Sequence, residues 1–242
     1  MASKIHIGTS GWHYPHWNGR FYPPGLPDRE KLLYYAARFE IVELNNTFYR
    51  LPTESAVDGW REHSPEDFRF AVKGSRFITH MKKLKDPGPA LEKFFSRVDL
   101  LGRKMGPVLF QLPPRWEMDE KRLSAFLEAL PEGPRYAFEF RDPTWNHPAI
   151  ENLLRTFRAA YCIYDLAGYQ SPLTVTTDFT YVRLHGPGGK YQGSYSAEVL
   201  WEWGNRLRGW GLKDSYIFFD NDQDAFAVQN AFQLKEMMDL TR

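Results

Sequence analysis

Short β-rich runs alternate with helix-period segments along the whole chain, and this alternation constrains the fold more than any other feature. The runs that have the length and residue content of strands cover residues 5–10, 41–46, 68–75, 107–112, 136–141, 160–165, 180–185 and 215–222. Amphipathic segments with apolar residues at helical spacing separate most of them. Eight such units in 242 residues match the size of a (β/α)8 barrel. We therefore predict an α/β fold, a single TIM-barrel domain over residues 1–242.

One connection departs from this pattern. Residues 166–179, between the sixth and seventh predicted strands, contain Gly168, Pro172 and a Thr-rich run without helical periodicity. We expect the helix there to be missing or reduced to a turn. Elsewhere the apolar spacing predicts helices, with Asp119, Asn146 and Ser196 as candidate N-caps.

Polar side chains share one face of nearly every predicted strand. Residues two apart on a strand point to the same side, and the residues of this polar face are Glu43, Asn45, Lys73, Ser75, Gln111, Glu139, Arg141, Asp165, Arg183, His185, Asp220 and Asp222. In a barrel the apolar face packs against the helices, so the polar face points into the lumen, near the carboxyl ends where active sites lie. A ligand site is the favoured interpretation. The alternative is an internal ion-pair network, such as Glu139–Arg141 or Glu43–Lys73.

Seven sequence blocks in order resemble one known family. They are GTSGWHYPHWNGRFYPPGL, VELNNTFYRLP, FAVKGSRFITHMKKL, PVLFQLPPRW, FEFRDPTW, YVRLHG and YQGSYS. Together they resemble the YecE-like family, domain of unknown function 72, from the first strand through the last helix. The resemblance implies a TIM barrel and a set of candidate positions, and no particular reaction. In one respect the chain differs from the family pattern: after the eighth strand an FNN-like sequence is expected, and the chain has FFDND, with Asp220 in place of an amide.

Three residues of the polar face are predicted to transfer protons. Glu43 and Glu139 are candidate general acids or bases, their roles set by which carboxyl group is more desolvated. His185 ends the seventh strand and is the candidate for proton transfer near neutral pH. The alternative for His185 is a hydrogen bond to a carbonyl at the strand end.

A second set of residues is predicted to bind the substrate. Its polar members are Lys73, Arg141, Arg183, Gln111, Asn45, Asp165 and Asp220. The cations favour an anionic substrate, with Lys73 as a charge clamp, an ion-pair partner or a Schiff-base nucleophile, in that order. The glycine-rich loop after the seventh strand predicts a phosphate or anion cradle at Gly186, Gly188 and Gly189.

Aromatic residues make up 16% of the chain, and many of them fall in loops after predicted strands. Trp12 follows the first strand and Trp145 follows the fifth. Both are predicted to contribute to substrate binding, because rings at a polar mouth stack against sugars or bases. The alternative is that these rings hold the loops in place as small hydrophobic clusters.

Charge and composition limit the partners. The formal net charge is +1, which argues against bulk electrostatic binding to nucleic acid or to a membrane. A single cysteine, Cys162, excludes an intrachain disulfide. We expect a soluble, cytoplasmic protein, since the N-terminal sequence lacks the apolar core of a signal peptide. No cofactor is predicted because no dinucleotide or P-loop fingerprint occurs. No metal is predicted either, because the calcium-loop-like DNDQD has Ala225 where that loop needs glycine.

These observations favour an enzyme, a hydrolase or isomerase without a redox cofactor. It would act on a polar, anionic, sugar- or nucleotide-like small molecule at the carboxyl-end mouth of the barrel. The first alternative is a nucleic-acid-binding or nucleic-acid-processing protein, whose binding would depend steeply on salt. The second is a non-catalytic barrel that binds a small ligand, because a fold does not determine a function.

Overall fold

The computed structural model describes residues 3–239, and over these residues strands and helices alternate as predicted. The strands are β1 (Lys4–Thr9), β2 (Ile41–Leu44), β3 (Arg69–Lys73), β4 (Met105–Gln111), β5 (Tyr136–Glu139), β6 (Ala160–Leu166), β7 (Tyr169–Gln170), β8 (Phe179–Leu184) and β9 (Asp214–Phe219). The helices are α1 (Asp28–Ala36), α2 (Asn46–Tyr49), α3 (Glu54–Glu62), α4 (Gly88–Val98), α5 (Glu120–Glu128), α6 (Pro148–Thr156), α7 (Ala197–Gly209) and α8 (Phe226–Asp239). A short π-helix covers Phe77–Met81.

The strand order is that of a (β/α)8 barrel. Neighbouring strands follow the order β1-β9-β8-β6-β5-β4-β3-β2, and an isolated parallel bridge between Ser10 and Glu43 links the ends of β1 and β2. The paired strands β1–β9, β8–β9, β3–β4, β4–β5 and β5–β6 all run parallel. The predicted α/β fold class, a TIM-type barrel, is therefore confirmed.

The helix predicted to be missing is indeed absent. Between β6 and β8 the described chain has only the two-residue β7, which pairs antiparallel with β6, followed by irregular backbone. The Gly168 backbone has a φ of +81°, a conformation that glycine adopts at little cost. This glycine therefore makes the tight β6–β7 turn in place of a helical crossover.

The chain divides into two compact units. The first unit consists of Met1–Glu43, Ile163–Leu173 and Asp178–Arg242, and the second of Leu44–Cys162 and Thr174–Thr177. The first contains β1, β8 and β9, and the second contains β3, β4 and β5. Each unit has its own set of polar residues at strand ends.

Apolar faces and capping residues explain where the helices form. In α4 the buried residues are Leu91, Phe94, Phe95 and Val98, the face that helical periodicity predicts. Asp119 and Ser196 accept hydrogen bonds from the backbone of Arg122 and Val199, as predicted N-caps should. The prediction of Asn146 as the N-cap of α6 is wrong by one residue. His147 is the cap, and its ring accepts from the backbone of Ala149.

No helix among residues 3–239 is both long enough and apolar enough to cross a membrane.

Candidate functional site

A buried ion pair lies within the first unit. Glu43, at the end of β2, and Arg183, in β8, are 0% and 1% exposed. Arg183 Nη2 donates to Glu43 Oε1 at 2.7 Å and Arg183 Nε donates to Glu43 Oε2 at 3.0 Å. The hydroxyl groups of Ser10 and Tyr181 donate to the same carboxylate at 2.8 and 2.6 Å. The contact with Arg183 is bidentate, and it fixes the plane of the guanidinium.

A histidine–carboxylate pair lies next to this ion pair. His185, immediately after β8, is 0% exposed, and its Nδ1 lies 2.9 Å from Asp220 Oδ2, immediately after β9. Arg183 reaches the same oxygen at 3.4 Å and also approaches His185 Nε2 at 3.4 Å. Because a carboxylate accepts and a guanidinium donates, this arrangement selects the tautomer with the proton on Nδ1. The side chain of Asp220 is 15% exposed, so it is the solvent-facing member of the pair.

A second carboxyl group, Asp222, lies two residues further along the chain in a different environment. Trp17 Nε1 donates to Asp222 Oδ1 at 2.7 Å, and His16 Nε2 lies 2.9 Å from Asp222 Oδ2. Burial raises the pKa of Asp222 to about 6, against the hydrogen bond from Trp17 and the charge and hydrogen bond of His16, and the charge of Asp220 adds a smaller increase. The titration of Asp222 is therefore moved from the ordinary aspartate range toward neutral pH.

Aromatic residues of the loop after β1 surround this carboxyl group. Trp17 is 0% exposed and packs against Tyr14, Phe21, Tyr22 and Tyr35. The hydroxyl of Tyr14 donates to the backbone carbonyl of Ser10, and burial raises the Tyr14 pKa. Trp12, predicted to bind substrate, is half-buried, and its carbonyl accepts from Tyr22. The packing of Trp17 in this loop is what places its indole N–H against Asp222.

In the glycine-rich loop after β8, the first backbone amide is already hydrogen-bonded within the protein. The backbone N–H of Gly186 donates to the hydroxyl of Tyr195 at 2.9 Å, and that hydroxyl donates to Asp165 at 3.1 Å. Burial raises the pKa of Asp165, a predicted binding residue. The backbone carbonyl of Gly189 accepts from Gln192, and nothing lies within 4 Å of where a Cβ on Gly188 would be. The Gly186 amide therefore anchors the loop, which leaves it no hydrogen for an anion.

The second unit has its own buried carboxylate, Glu139, at the end of β5. Arg141 Nε donates to Glu139 Oε1, and the two side chains are 9% and 0% exposed. The thiol of Cys162 lies 3.8 Å from Glu139 Oε2. Gln111, another predicted binding residue, ends β4 directly opposite Glu139 in the parallel register. Glu139 and Arg141 therefore form the ion pair that was the alternative to a ligand site in the sequence interpretation.

Lys73 and His80 form a second polar group in this unit. Lys73 ends β3 and is 9% exposed, with its Nζ 4.4 Å from the centre of the Phe48 ring. His80, in the π-helix, packs edge-on against the same ring at 5.1 Å and contacts Thr79 Oγ1 through Nδ1 at 2.9 Å. Burial and the charges of Arg76, Lys73 and Arg141 lower the pKa of His80 to about 4. His80 is therefore neutral in a strongly positive environment.

Asn45 lies outside the strand in which it was predicted. β2 ends at Leu44, Asn45 precedes the first turn of α2, and Asn45 Oδ1 is buried without a hydrogen-bond partner among residues 3–239. Trp145 is 0% exposed, stacks on Phe140 and donates its indole N–H to the carbonyl of Trp116. These contacts give Trp145 a packing role in the loop after β5.

Several residues of these clusters were not among the predicted site residues. They are Ser10, His16, Trp17, Tyr181, Asp222, Arg76 and His80. Asp222 lies on the polar face of its predicted strand, because it is two residues from Asp220. The alternation of side chains along the strand is therefore enough to identify it as a site residue. His16 and Trp17 carry no such signal, because a loop brings them to Asp222 from the opposite end of the chain. Among the described residues, no three His, Cys, Asp or Glu side chains are placed to hold a metal ion.

The chain is similar in sequence to one protein family and to individual known proteins. The sequence profile of the family described as "Protein of unknown function DUF72" matches residues 6–242. UPF0759 protein YunF of Bacillus subtilis is 30% identical, over 98% of this chain and 95% of its own. UPF0759 protein YecE of Escherichia coli K12 is 34% identical, over 57% of this chain and 49% of its own.

Two solved structures have the same fold. A DUF72 family protein from Thermotoga maritima superposes with a TM-score of 0.88 at 29% identity, covering 98% of this chain and 99% of its own. A DUF72 family protein from Enterococcus faecalis gives a TM-score of 0.82 at 18% identity, covering 98% and 96%. The second likeness supports the fold alone.

Proposed function

The chain belongs to the DUF72 family, as its motifs predicted, and from the site of the first unit we infer that it is an acid–base enzyme. In this proposal it hydrolyses or isomerises a small polar, sugar-like substrate. Asp220 acts as the general base and Asp222 as the general acid. Both are catalytic residues at the carboxyl end of β9, the end at which barrels of this class place their chemistry.

The observation that carries the proposal is the contrast between these two carboxyl groups. Asp220 accepts from His185 and Arg183, and hydrogen bonds from such donors favour a charged carboxylate. Asp222 packs against Trp17, and its pKa of about 6 leaves about half of it protonated at pH 6 and about a tenth at pH 7. Two neighbouring carboxyl groups whose surroundings favour opposite protonation states are suited to act as base and acid.

The fully buried residues take supporting roles in this proposal. His185 and Glu43, both predicted to transfer protons, are 0% exposed, so they are assigned as positioning residues. Glu43 holds Arg183, and Arg183 with His185 orients Asp220. Glu139 belongs to the second unit and has no part in this chemistry.

The charges favour a substrate with hydroxyl groups at this position. The partly exposed polar groups of the first unit include Asp165 and Asp220, which accept hydrogen bonds when ionised. Sugar hydroxyls donate such bonds without the repulsion that an anion would meet among carboxylates. The proposal therefore retains the sugar-like part of the predicted substrate at this site.

An activity screen with matched variants tests the assignment. The wild type is assayed on p-nitrophenyl glycosides and on aldose–ketose pairs, beside Asp220→Asn, Asp222→Asn and Asp224→Asn. General acid–base groups contribute about 10²- to 10⁴-fold, so both of the first two variants should lose activity by such factors. Asp224 is exposed and paired with Arg20, so Asp224→Asn should retain it. Full activity in either Asp220→Asn or Asp222→Asn would contradict the proposal.

A titration tests the proton donor without any substrate. The indole N–H resonance of Trp17 reports on Asp222 through their hydrogen bond. Its pH profile should have an inflection near 6 in the wild type and in Asp224→Asn, and none in Asp222→Asn. An inflection at the ordinary aspartate pKa near 4 would remove Asp222 as the acid.

A further inference from the structure

Three cations of the second unit act on one histidine. Burial lowers the pKa of His80 most, and the charges of Arg76, Lys73 and Arg141 lower it further, against Glu139. Three cations that act on one imidazole give this part of the unit a positive potential. The geometry supports the same conclusion, because Lys73 Nζ and the His80 ring lie 4.4 and 5.1 Å from the centre of one ring, that of Phe48.

Two of these cations are enclosed and the third is at the surface. Lys73 and the Arg141 side chain are each 9% exposed, whereas Arg76 is exposed. Arg141 is held by Glu139, which fixes the direction of its guanidinium. Arg76 has no carboxylate within ion-pair distance among residues 3–239. Cations that are fixed and largely desolvated bind an anion more strongly than solvated surface lysines do.

A buried polar atom next to these strand ends lacks a partner. Asn45 Oδ1 is buried and makes no hydrogen bond among the described residues. Asn45 follows β2, which neighbours β3 in the strand order, and Thr47 bonds the carbonyls of both Leu44 and Lys73. The oxygen and nitrogen of an asparagine amide exchange places on a half turn, so Asn45 can donate to a ligand oxygen as readily as accept.

Exposed aromatic rings border the same residues. Tyr49 is 80% exposed and packs edge-on against Phe48, the ring that contacts Lys73. Phe77 is 49% exposed and follows Arg76 in the chain. A large ring left in solvent beside cations is suited to stack on a planar base, since every base has a π-face.

We propose that the second unit binds a nucleoside monophosphate, with the phosphate held by Lys73, Arg76 and Arg141 and the base stacked on Tyr49 or Phe77. Arginine and lysine are the usual ligands of phosphate oxygens. The proposal is independent of the acid–base chemistry of the first unit, because all its residues belong to the second unit. The enclosure of Lys73 and Arg141 favours a terminal phosphate over a polynucleotide backbone, which is bound by exposed cations that track it.

Histidine NMR and calorimetry test the phosphate part. Inorganic phosphate should raise the pKa of His80 from about 4, because the bound anion offsets the three cations. Arg76→Gln should weaken phosphate binding about tenfold, since a charge-assisted hydrogen bond is lost. The matched control is Lys85→Gln, an exposed cation of the same segment, which should bind as the wild type does. An unchanged His80 pKa, or equal losses in both variants, would overturn the site.

The stacking of the base is tested by comparing the affinity of a nucleotide with that of the sugar phosphate that lacks the base. Adenosine 5′-monophosphate should bind about tenfold more tightly than ribose 5-phosphate, because the stacked base adds binding free energy that the sugar phosphate lacks. Tyr49→Ser combined with Phe77→Ser should abolish this difference and leave ribose 5-phosphate unaffected. Tyr169→Ser, an exposed tyrosine of the first unit, is the control. Equal affinity of the two esters would overturn the nucleotide assignment, and so would tighter, steeply salt-dependent binding of a single-stranded oligonucleotide.

Discussion

Three aspartates alternate in the segment DNDQD, and their surroundings give each a different property. Asp220 is bonded to His185 and Arg183, Asp222 is buried against Trp17, and Asp224 is exposed beside Arg20. The same side chain is therefore a fixed carboxylate, a group that titrates near neutral pH and a surface charge within five positions. Burial and hydrogen-bond partners, rather than residue type, determine this difference.

Asp222 should make the stability of the protein depend on pH. Its folded-state pKa of about 6 is above the unfolded value, so its stabilising contribution is present below the unfolded pKa near 4 and is lost as pH rises through 6. Asp222→Asn removes that loss. The free energy of unfolding of the variant minus that of the wild type should be about 2–3 kcal/mol larger at pH 8 than at pH 4. Urea unfolding at both pH values measures it, and an Asp224→Asn control should show no such difference. An equal offset at both pH values would contradict the pKa.

The alternation of side chains along each strand predicted the burial of individual residues well. Glu43, Glu139, Arg183 and His185 were each predicted to point away from the helices, and all are buried. Parity could not show which of them face solvent, because that depends on loops packed over the strand ends. Tyr195, for example, lies on a loop after β8, and its hydroxyl links the amide of Gly186 to Asp165.

The contact between β1 and β2 leaves room only for glycine at one position. Gly8 of β1 lies against β2, and a Cβ built there would be 2.4 Å from the Ile41 carbonyl oxygen. Backbone atoms cannot move aside as a side chain can. The absence of a side chain at Gly8 therefore sets the distance between these two strands.

Gly8→Ala should be strongly destabilising for this reason. The added methyl forces β1 and β2 apart, and overpacking of this kind costs about 2 kcal/mol or more. Gly59→Ala in α3 is the control, since nothing lies within 4 Å of its Cβ position. That change should stabilise the protein by up to ~1 kcal/mol, because alanine favours a helix. Thermal unfolding of both variants distinguishes the two effects, and a neutral Gly8→Ala would show that the strands can separate without cost.

The N-cap of α5 gives a prediction about a single helix end. Asp119 accepts from the backbone N–H of Arg122 at 3.0 Å. Asp119→Ala should reduce the free energy of unfolding by about 1 kcal/mol, whereas Asp119→Asn should retain nearly all of it because asparagine caps equally well. Urea unfolding compares the two. Equal losses would mean that charge, through the ion pair of Asp119 with Arg122, matters more than capping.

The sequence predicted the existence of elements better than their ends. The strand predicted at 41–46 stops at Leu44, because Asn46–Tyr49 form a helical turn. α6 is capped by His147 rather than by Asn146, whose side chain instead accepts from Tyr161 at 2.6 Å. The second error arises from a tertiary contact that competes with local preference, and such contacts cannot be derived from periodicity.

Over the whole molecule, charges of opposite sign nearly cancel. The net charge is +1, yet the polar groups of the first unit are rich in carboxylates and those around His80 are rich in cations. Eight strand-like runs and the missing helix sufficed to predict the fold class. The separation of charge into an acidic and a basic cluster is a property of three-dimensional placement, and composition alone conceals it.

This balance predicts weak binding to polyanions. A fluorescent single-stranded oligonucleotide should show no saturable binding at physiological salt, since affinity for nucleic acid arises mainly from many released counterions. Fluorescence anisotropy over a range of salt concentrations measures it. A charge-neutral peptide nucleic acid of the same sequence is the control for stacking alone. Tight binding with a steep salt slope would instead support the nucleic-acid alternative.

The pairing of β1 with β9 has a consequence for synthesis. Every residue of β1 from Lys4 to Thr9 has its parallel partner in β9, between Asp214 and Phe219. On the ribosome β1 emerges well before β9, the strand that pairs with its backbone. Until β9 has been made, the β9 side of β1 is an unpaired edge, the kind of surface on which nascent chains associate and which chaperones shield. This edge of β1 is thus closed only after the seven strands between them have been translated.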